Sequence, residues 1–165
     1  MKAAALEKPA MVDVTIASEL WSAHPEAERI IERAILSAAA MAQTSGEVAI
    51  LLTDDKAVRQ MNAQWRGIDK PTNVLSFPAG ESATAPGELH LGDIAIAYET
   101  VAAESAAENK AFGDHLAHLA IHGYLHLVGF DHETDAEAAE METLETRILA
   151  NLGIADPYAG TVSAD

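Results

Sequence analysis

Residues 122–132 read HGYLHLVGFDH, and this stretch carries the strongest structural and chemical information in the chain. His122 and His126 are four residues apart, which places them one turn apart on one helix face, where two imidazoles can share a metal ion. His132 follows after Gly129, and a glycine there lets the chain leave the helix through a left-handed turn and return to the same face. Three nitrogen ligands with a free fourth position are typical of a catalytic metal site.

The type of ligand favours zinc, one ion per chain, because neutral imidazoles suit zinc and three ligands plus water is its usual catalytic form. Nickel, copper or cobalt can occupy the same nitrogens. His118 is also correctly spaced from His122, but no turn and third histidine follow that pair. We therefore expect His118 beside the ligands or in the core wall, and His115 on a solvated helix face. The alternative to a metal site is a histidine-rich amphipathic helix whose imidazoles make ordinary hydrogen bonds.

The zinc-protease pattern H-E-x-x-H has a glutamate where this chain has Gly123. That glutamate is the general base of the peptidase, so its absence disfavours peptide hydrolysis. Asp131 and Glu133 are the acids nearest in sequence that could act as a base. Asp131 is better suited to orienting a ligand histidine than to acting as the base.

The length of 165 residues and an apolar fraction of 49% suit one domain with one hydrophobic core. The chain has no cysteine, which excludes disulfides, thiolate metal sites and a cysteine nucleophile. No signal-peptide core or membrane-spanning stretch is present in the sequence. We expect a soluble, cytoplasmic protein forming a single domain over residues 1–165, with a core at about 11–153 and a loose tail at 154–165.

Hydrophobic periodicity predicts an α+β fold in α/β/α layers, with a mixed sheet of about four strands flanked by helices. The predicted strands cover about 12–16, 48–52, 74–77 and 89–96, the last with a bulge at Gly92. The predicted helices cover about 22–43, 56–65, 99–109, 112–128 and 134–152, and residues 80–87 read as a loop.

Two further motifs identify a family. WRGIDKPTNVLSFP at 65–78 and LGDIAIA at 91–97, together with HGYLHLVGFDH, closely resemble the YbeY family of bacterial endoribonucleases. The resemblance implies a zincin-like fold and a metal-dependent endoribonuclease selective for single-stranded RNA. The implied roles are 16S rRNA 3′-end maturation and ribosome quality control, and the implied partners are a small-subunit ribosomal protein and the GTPase Era. The family's metal ligands match His122, His126 and His132, and its cleft arginine matches Arg66.

The chemistry of RNA cleavage agrees with these residues. Negative charge develops on the phosphoryl oxygens during cleavage, and the Arg66 guanidinium can bind two such oxygens at once. An ordinary surface salt bridge with Asp69 is the alternative role of this arginine. The metal can polarise the phosphoryl oxygen or activate a water, and the neighbouring 2′-hydroxyl is another possible attacker.

Charge is unevenly distributed along the chain. The formal net charge is −16, yet residues 56–70 hold four of the ten Lys and Arg residues. Residues 131–145 hold seven acids and no Lys or Arg, which we interpret as a solvated helix face. The alternative is a dipolar molecule that presents its basic patch to RNA while the acidic helix faces away or contacts a protein partner. Binding of RNA by charge alone is therefore expected to be weak and salt-sensitive. Trp21 and Trp65 could stack on bases, although partly buried anchors at helix ends are the more common role of tryptophan.

Two polar features precede or lie within the third predicted strand. Residues 69–73 could form one wall of a cleft or only the turn that starts the strand. Ser76 could line the cleft or pack as a small neutral residue.

Two other functions are compatible with the histidines. One is a metallohydrolase of another class, such as a peptidase or amidase, against which Gly123 argues. The other is a non-catalytic ribosome-assembly factor in which the metal only ties the helix to the loop that follows it.

Overall fold

A four-stranded mixed sheet forms the middle layer of the part of the chain that the structure describes. The computed structural model describes residues 10–79 and 90–158. The strands are β1 (Met11–Ile16), β2 (Glu47–Thr53), β3 (Val74–Pro78) and β4 (His90–Ala97). Their order is β1-β2-β4-β3, with β1, β2 and β4 parallel and β3 antiparallel to β4. The predicted mixed sheet is confirmed, whereas the predicted loop at 80–87 lies outside the described residues.

Five α-helices accompany the sheet in the described segments: α1 (Ala27–Ala42), α2 (Asp55–Arg66), α3 (Tyr98–Ala107), α4 (Phe112–Leu127) and α5 (Asp135–Asn151). Their ends follow local capping chemistry. The side chain of Asp54 accepts a hydrogen bond from the amide of Ala57 at the start of α2, and Thr134 forms a capping box with Glu137 at the start of α5. The first helix begins later than predicted, because a short 3-10 helix (Glu19–Ala23) precedes it.

The two faces of the sheet bury side chains of different size. On β4, Ile94 and Ile96 enter the large core with α1, α4 and α5, whereas Ala95 and Ala97 pack with Val58 of α2. Alternate residues of a strand point to opposite faces, so this pattern produces the α/β/α layers. It also places α4, with its histidines, directly against the sheet.

A bulge lies near the start of β4. Glu47 pairs with His90 and Val48 pairs with Gly92, which leaves Leu91 as the extra residue. Gly92 has φ +147°, and a Cβ atom there would lie 2.3 Å from the carbonyl oxygen of Phe77. The predicted bulge at Gly92 is thus found one residue earlier, and the glycine allows β3 to approach closely.

Residues 154–158 are not loose in the structure. Ile154 packs against the large core, and Tyr158 hydrogen-bonds to a buried side chain of α5. This corrects the expectation of a loose tail for these residues, while 159–165 lie outside the described part of the chain. Within the described ranges, none of the helices combines the length and apolar character that crossing a membrane requires.

Candidate active site

Helix α4 and the turn after it bring three histidines together. The amide of Gly129 donates to the carbonyl of His126 (3.2 Å) and that of Phe130 donates to Leu125 (2.9 Å), the pair of bonds of a Schellman motif. Gly129 has φ +106°, the left-handed conformation that this motif requires. The turn returns His132 to the helix face that carries His122, with ring centroids 5.7 Å apart.

The three imidazoles form a group that could hold a metal ion. Ligand nitrogens of His122, His126 and His132 all lie within 4.8 Å of one another. The Nε2 atoms of His122 and His126 are 3.2 Å apart. Two nitrogens bound at about 2.0–2.1 Å to a tetrahedral zinc ion would be separated by about 3.4 Å. Burial lowers the pKa of His126, and the neighbouring charges of His122 and His132 lower it further, which favours the neutral imidazole that metals bind.

A buried carboxylate of α5 orients one of these rings. Glu145 is fully buried, and its Oε2 accepts a hydrogen bond from Nδ1 of His122 at 2.6 Å. Its Oε1 accepts from Nε2 of His118 at 3.1 Å and from the hydroxyl of Tyr158. Because Nδ1 of His122 carries the proton, the lone pair of Nε2 is directed towards the histidine group.

Glu145 remains ionised in spite of its burial. Burial acts to raise the pKa of its carboxyl group, but the hydrogen bonds from His118, His122 and Tyr158 outweigh that effect and hold the pKa at about 2. The site therefore contains one buried negative charge next to the three imidazoles. Such a charge favours a cation at the histidines.

The sequence did not identify Glu145, because we interpreted residues 131–145 as a solvated helix face. That interpretation is wrong for this residue. A signal was available in its spacing, since Met141, Glu145, Ile148 and Leu149 are the buried residues of α5. A carboxylate at a helical position otherwise occupied by apolar residues needs a buried partner.

The remaining histidines of α4 do not belong to the group. His118 lies beside it, mostly buried against Glu145, as expected. His115 does not lie on a solvated face: it is 5% exposed, and its Nε2 bonds to Glu104 at 2.8 Å. That prediction is corrected, because this face of α4 is covered by α3. Asp131 also differs from expectation, since its carboxylate accepts from the backbone amide of His132 rather than from a ligand ring.

A cleft of about 840 Å³ contains the histidine group and Arg66. The Nη2 of Arg66 donates to the carbonyl oxygen of Ser76 at 3.3 Å, and the Ser76 hydroxyl donates to the carbonyl oxygen of Gly123 at 3.2 Å. The alternative partner of Arg66, Asp69, is bound instead by Arg59 at 2.8 Å. The guanidinium of Arg66 consequently forms no ion pair within residues 10–79 and 90–158.

Part of the cleft wall comes from β3 and the segment before it. Thr72, Asn73 and Ser76 all line the cleft. The Asn73 side-chain amide donates to Oε1 of Glu104 at 2.9 Å, which ties this segment to α3. Of the two roles considered for residues 69–73, the structure thus places Thr72 and Asn73 in the cleft wall, and it places Ser76 there as well.

Gly123 has a packing role. A Cβ atom at this position would lie 3.1 Å from the Ser76 hydroxyl and 3.2 Å from two carbon atoms of Ile94. Helix α4 therefore approaches the sheet so closely here that any side chain at this position would force Ser76 or Ile94 to shift. The structure agrees with the sequence in disfavouring a peptidase of the H-E-x-x-H type.

The two tryptophans occupy opposite environments. Trp21 is 2% exposed and donates from Nε1 to the carbonyl oxygen of Thr53 at 2.9 Å. Trp65, at the end of α2, is 67% exposed. The expectation of partly buried anchors at helix ends is therefore wrong for Trp65, and base stacking is excluded for Trp21.

Comparison with known proteins gives the family. A family model described as Endoribonuclease YbeY matches residues 14–153. A Rhodopseudomonas palustris (strain BisA53) protein named Endoribonuclease YbeY is 56% identical over 163 residues, which cover 95% of each chain. A Nitrobacter hamburgensis protein of the same name is 57% identical over 154 residues, covering 89% of this chain and 81% of the relative.

A solved structure supports the fold. The solution structure of TM1509 from Thermotoga maritima aligns with a TM-score of 0.52 and 22% identity, covering 89% of this chain and 98% of that one. Its likeness concerns the fold alone, whereas the family model and the sequence relatives concern the activity. With the mixed sheet, the histidine group and these matches together, the chain belongs to the YbeY family and is an endoribonuclease that acts on RNA.

Proposed function

We propose that this endoribonuclease is metal-dependent and cleaves single-stranded RNA, with His122, His126 and His132 holding one zinc ion and Arg66 binding the phosphate. The observation that carries the proposal is the convergence of three imidazole nitrogens, within 4.8 Å of one another, in the cleft that Arg66 also lines. The donor set suits zinc, and nickel, copper or cobalt would be held by the same nitrogens.

The residues of the cleft have different roles in the proposed cleavage of RNA. A cation held by the three imidazoles would polarise a phosphoryl oxygen or lower the pKa of a bound water. Arg66 donates to two phosphate oxygens and stabilises the negative charge that grows on them. Glu145 fixes the tautomer and orientation of His122 through the 2.6 Å hydrogen bond.

The biological role proposed here is maturation of the 16S rRNA 3′ end and ribosome quality control, in the cytoplasm. The family resemblance supports this role, together with a small-subunit ribosomal protein and the GTPase Era as partners. The net charge of −16 supports a need for partners, because the average surface repels RNA. We also propose that residues 1–165 form a single domain.

Cleavage of a labelled single-stranded RNA tests the proposal. Wild type, His126→Ala, Arg66→Ala and Arg59→Ala would be purified from a host depleted of its major ribonucleases. Arg59 is the matched control, because it is on the same helix as Arg66 but is bound to Asp69 and lies outside the cleft lining. We expect wild type and Arg59→Ala to cut, a chelator to stop both, and the other two variants to be inactive.

Equal cutting by all four proteins would contradict the proposal, since it would place the activity elsewhere or in a contaminant. No cutting by wild type, with retained binding to the small ribosomal subunit, would indicate the assembly-factor alternative. A test on unfolded casein serves as the control for peptide hydrolysis, and we expect no cleavage there.

A further inference from the structure

The surface next to the cleft carries an exposed aromatic ring. Trp65 is 67% exposed, which makes it the most exposed of the large apolar side chains described. The rings of Trp21, Tyr98 and Phe112 pack on one another in the core, but no aromatic ring of the described residues packs against Trp65. Tryptophan is enriched at binding interfaces, because its ring offers a large apolar surface together with a polar N–H group.

Trp65 is adjacent to Arg66 in the last turn of α2. Successive side chains of a helix point about 100° apart, so the indole and the guanidinium leave the helix in different directions, with Arg66 lining the cleft and Trp65 outside that lining. Their Cα atoms are about 3.8 Å apart. A phosphate held by Arg66 therefore brings the base of an adjoining nucleotide within reach of the ring.

The charge around the ring suits a polyanion. Lys70 is exposed and forms no ion pair within the described residues, and Arg66 bonds only to a backbone carbonyl. Two positive charges without an ion-pair partner in the described residues thus lie within five positions of Trp65 in the sequence of a protein whose net charge is −16. Ile68 is the other large apolar side chain exposed nearby, so the apolar area is small for a protein interface and large enough for a base.

We propose that Trp65 is a stacking subsite for an unpaired nucleobase of the RNA substrate, next to the phosphate bound by Arg66. This inference rests on the proposed function and deepens it. It also gives a physical origin for single-strand selectivity. A base within a duplex has both faces covered by its neighbours, whereas an unpaired base can place one face on an indole ring.

Equilibrium binding of RNA tests the subsite without cleavage. A short fluorescein-labelled oligoadenylate would be titrated by anisotropy in the presence of a chelator, using wild type, Trp65→Leu, Trp65→Tyr and Leu36→Ala. Leu36 is the matched control, because it is an exposed apolar residue of α1 outside the cleft lining. We expect Trp65→Leu to weaken binding about tenfold and Trp65→Tyr to remain within about twofold of wild type. Leu36→Ala should bind oligoadenylate with the affinity of wild type. All four proteins should bind an RNA duplex with the same affinity.

Intrinsic fluorescence gives a second, independent readout. The chain has two tryptophans, and Trp21 is buried. Stacking of oligoadenylate should quench the emission of wild type and leave the emission of Trp65→Leu unchanged. All variants should unfold at the temperature of wild type, because an exposed ring contributes little to stability.

Three results would overturn the inference: unchanged RNA affinity in Trp65→Leu, equal loss in Trp65→Leu and Trp65→Tyr, or equal loss for duplex RNA. Unchanged affinity in Trp65→Leu would indicate that the exposed surface around Trp65 binds a protein partner instead. The experiments distinguish failure of this inference from failure of the proposed function. The proposed function is refuted if wild type does not cut RNA. The stacking subsite alone is refuted if wild type cuts RNA and Trp65→Leu has the same KM as wild type. If the inference holds, that variant raises KM and leaves kcat unchanged.

Discussion

At the scale of single residues, Glu145 determines what the histidine group can do. It is a buried carboxylate with three hydrogen-bond donors, and one of them is the Nδ1 of His122. The remaining nitrogen of His122 is therefore available to a cation without loss of a proton from the ring. The orientation of the His122 ring therefore depends on a residue of another helix.

Glu145→Gln should weaken zinc binding by about 10- to 100-fold, because the amide cannot supply the negative charge that holds His122. Competition with a chromophoric chelator measures the affinity directly. Glu142→Gln is the matched control, since Glu142 is an exposed carboxylate on the same helix. Equal affinities for Glu145→Gln and wild type would refute this role of the carboxylate.

The histidine group could be predicted from the sequence, whereas its supporting residues could not. His122 and His126 are related by helical spacing, and Gly129 indicates the turn that returns His132, so all the information is local. Glu145 reaches His122 only after α5 packs against α4, a tertiary contact that no local pattern encodes. The same reason explains the wrong expectation for His115, whose environment depends on the position of α3.

At the scale of elements, the close packing of α4 on the sheet fixes the cleft. Gly123 lies against Ser76 of β3 and Ile94 of β4, which brings the histidine face of α4 next to the strand that Arg66 also contacts. The distance between the two halves of the cleft is therefore set by a residue that has no side chain. A larger residue would separate them.

Gly123→Glu should destabilise the protein by more than about 3 kcal/mol, because it combines overpacking with burial of a charge. It should not create peptidase activity. Urea denaturation measures the loss of stability, and a casein assay tests for the activity. Gly129→Ala is a useful comparison, since no atoms crowd that position and the cost there comes from its positive φ alone. Wild-type stability in Gly123→Glu would contradict the packing argument.

The helices and strands were mostly predictable, because their hydrophobic periodicity is a local property. The ends of β2, α2 and α4 lie within one or two residues of the predicted positions. The 3-10 helix before α1 was missed, since its five residues are too few to show a period. The pairing order of the strands was also not predictable, because it is decided by contacts between distant segments.

At the scale of the whole molecule, the distribution of charge limits how RNA can bind. Most of the surface is acidic, and in the described residues Arg59 is neutralised by Asp69, an interaction that lowers the pKa of that carboxyl group through its hydrogen bond. In the cleft lining the cations are Arg66 and Lys110, and Lys110 is paired with Glu108. Affinity for free RNA should be modest, and the cleft should contribute more of it than the surface does.

RNA affinity should decrease as the salt concentration rises, with the slope that two phosphate contacts produce. Two phosphate contacts, made by Arg66 and Lys70, give a slope of about −1.4 in a plot of log K against log salt concentration for single strands. Anisotropy titrations of oligoadenylate at several salt concentrations measure this slope. A slope steeper than about −4 would show that additional cations contact the RNA.

Alkaline pH should destabilise the fold through Tyr124. Burial raises the pKa of its phenol, which also hydrogen-bonds to Thr44 at 2.8 Å. Because the folded pKa lies above that of the unfolded chain, the stability contributed by this group is complete below about pH 10 and decreases as pH rises above it. Urea midpoints at about pH 8 and about pH 11 should differ more for wild type than for Tyr124→Phe. If the urea midpoint changed equally between the two pH values in wild type and in Tyr124→Phe, the alkaline loss of stability would not come from Tyr124.

The position of Glu145 and Tyr158 along the chain has a consequence for synthesis. Translation proceeds from the amino end, so the three histidines leave the ribosome before the carboxylate and the phenol that support His122. A nascent chain at that stage has an incomplete cleft, whichever cation is present. The hydrogen bonds that hold His122 in place are therefore completed only after α5 and residues 154–158 have emerged and docked.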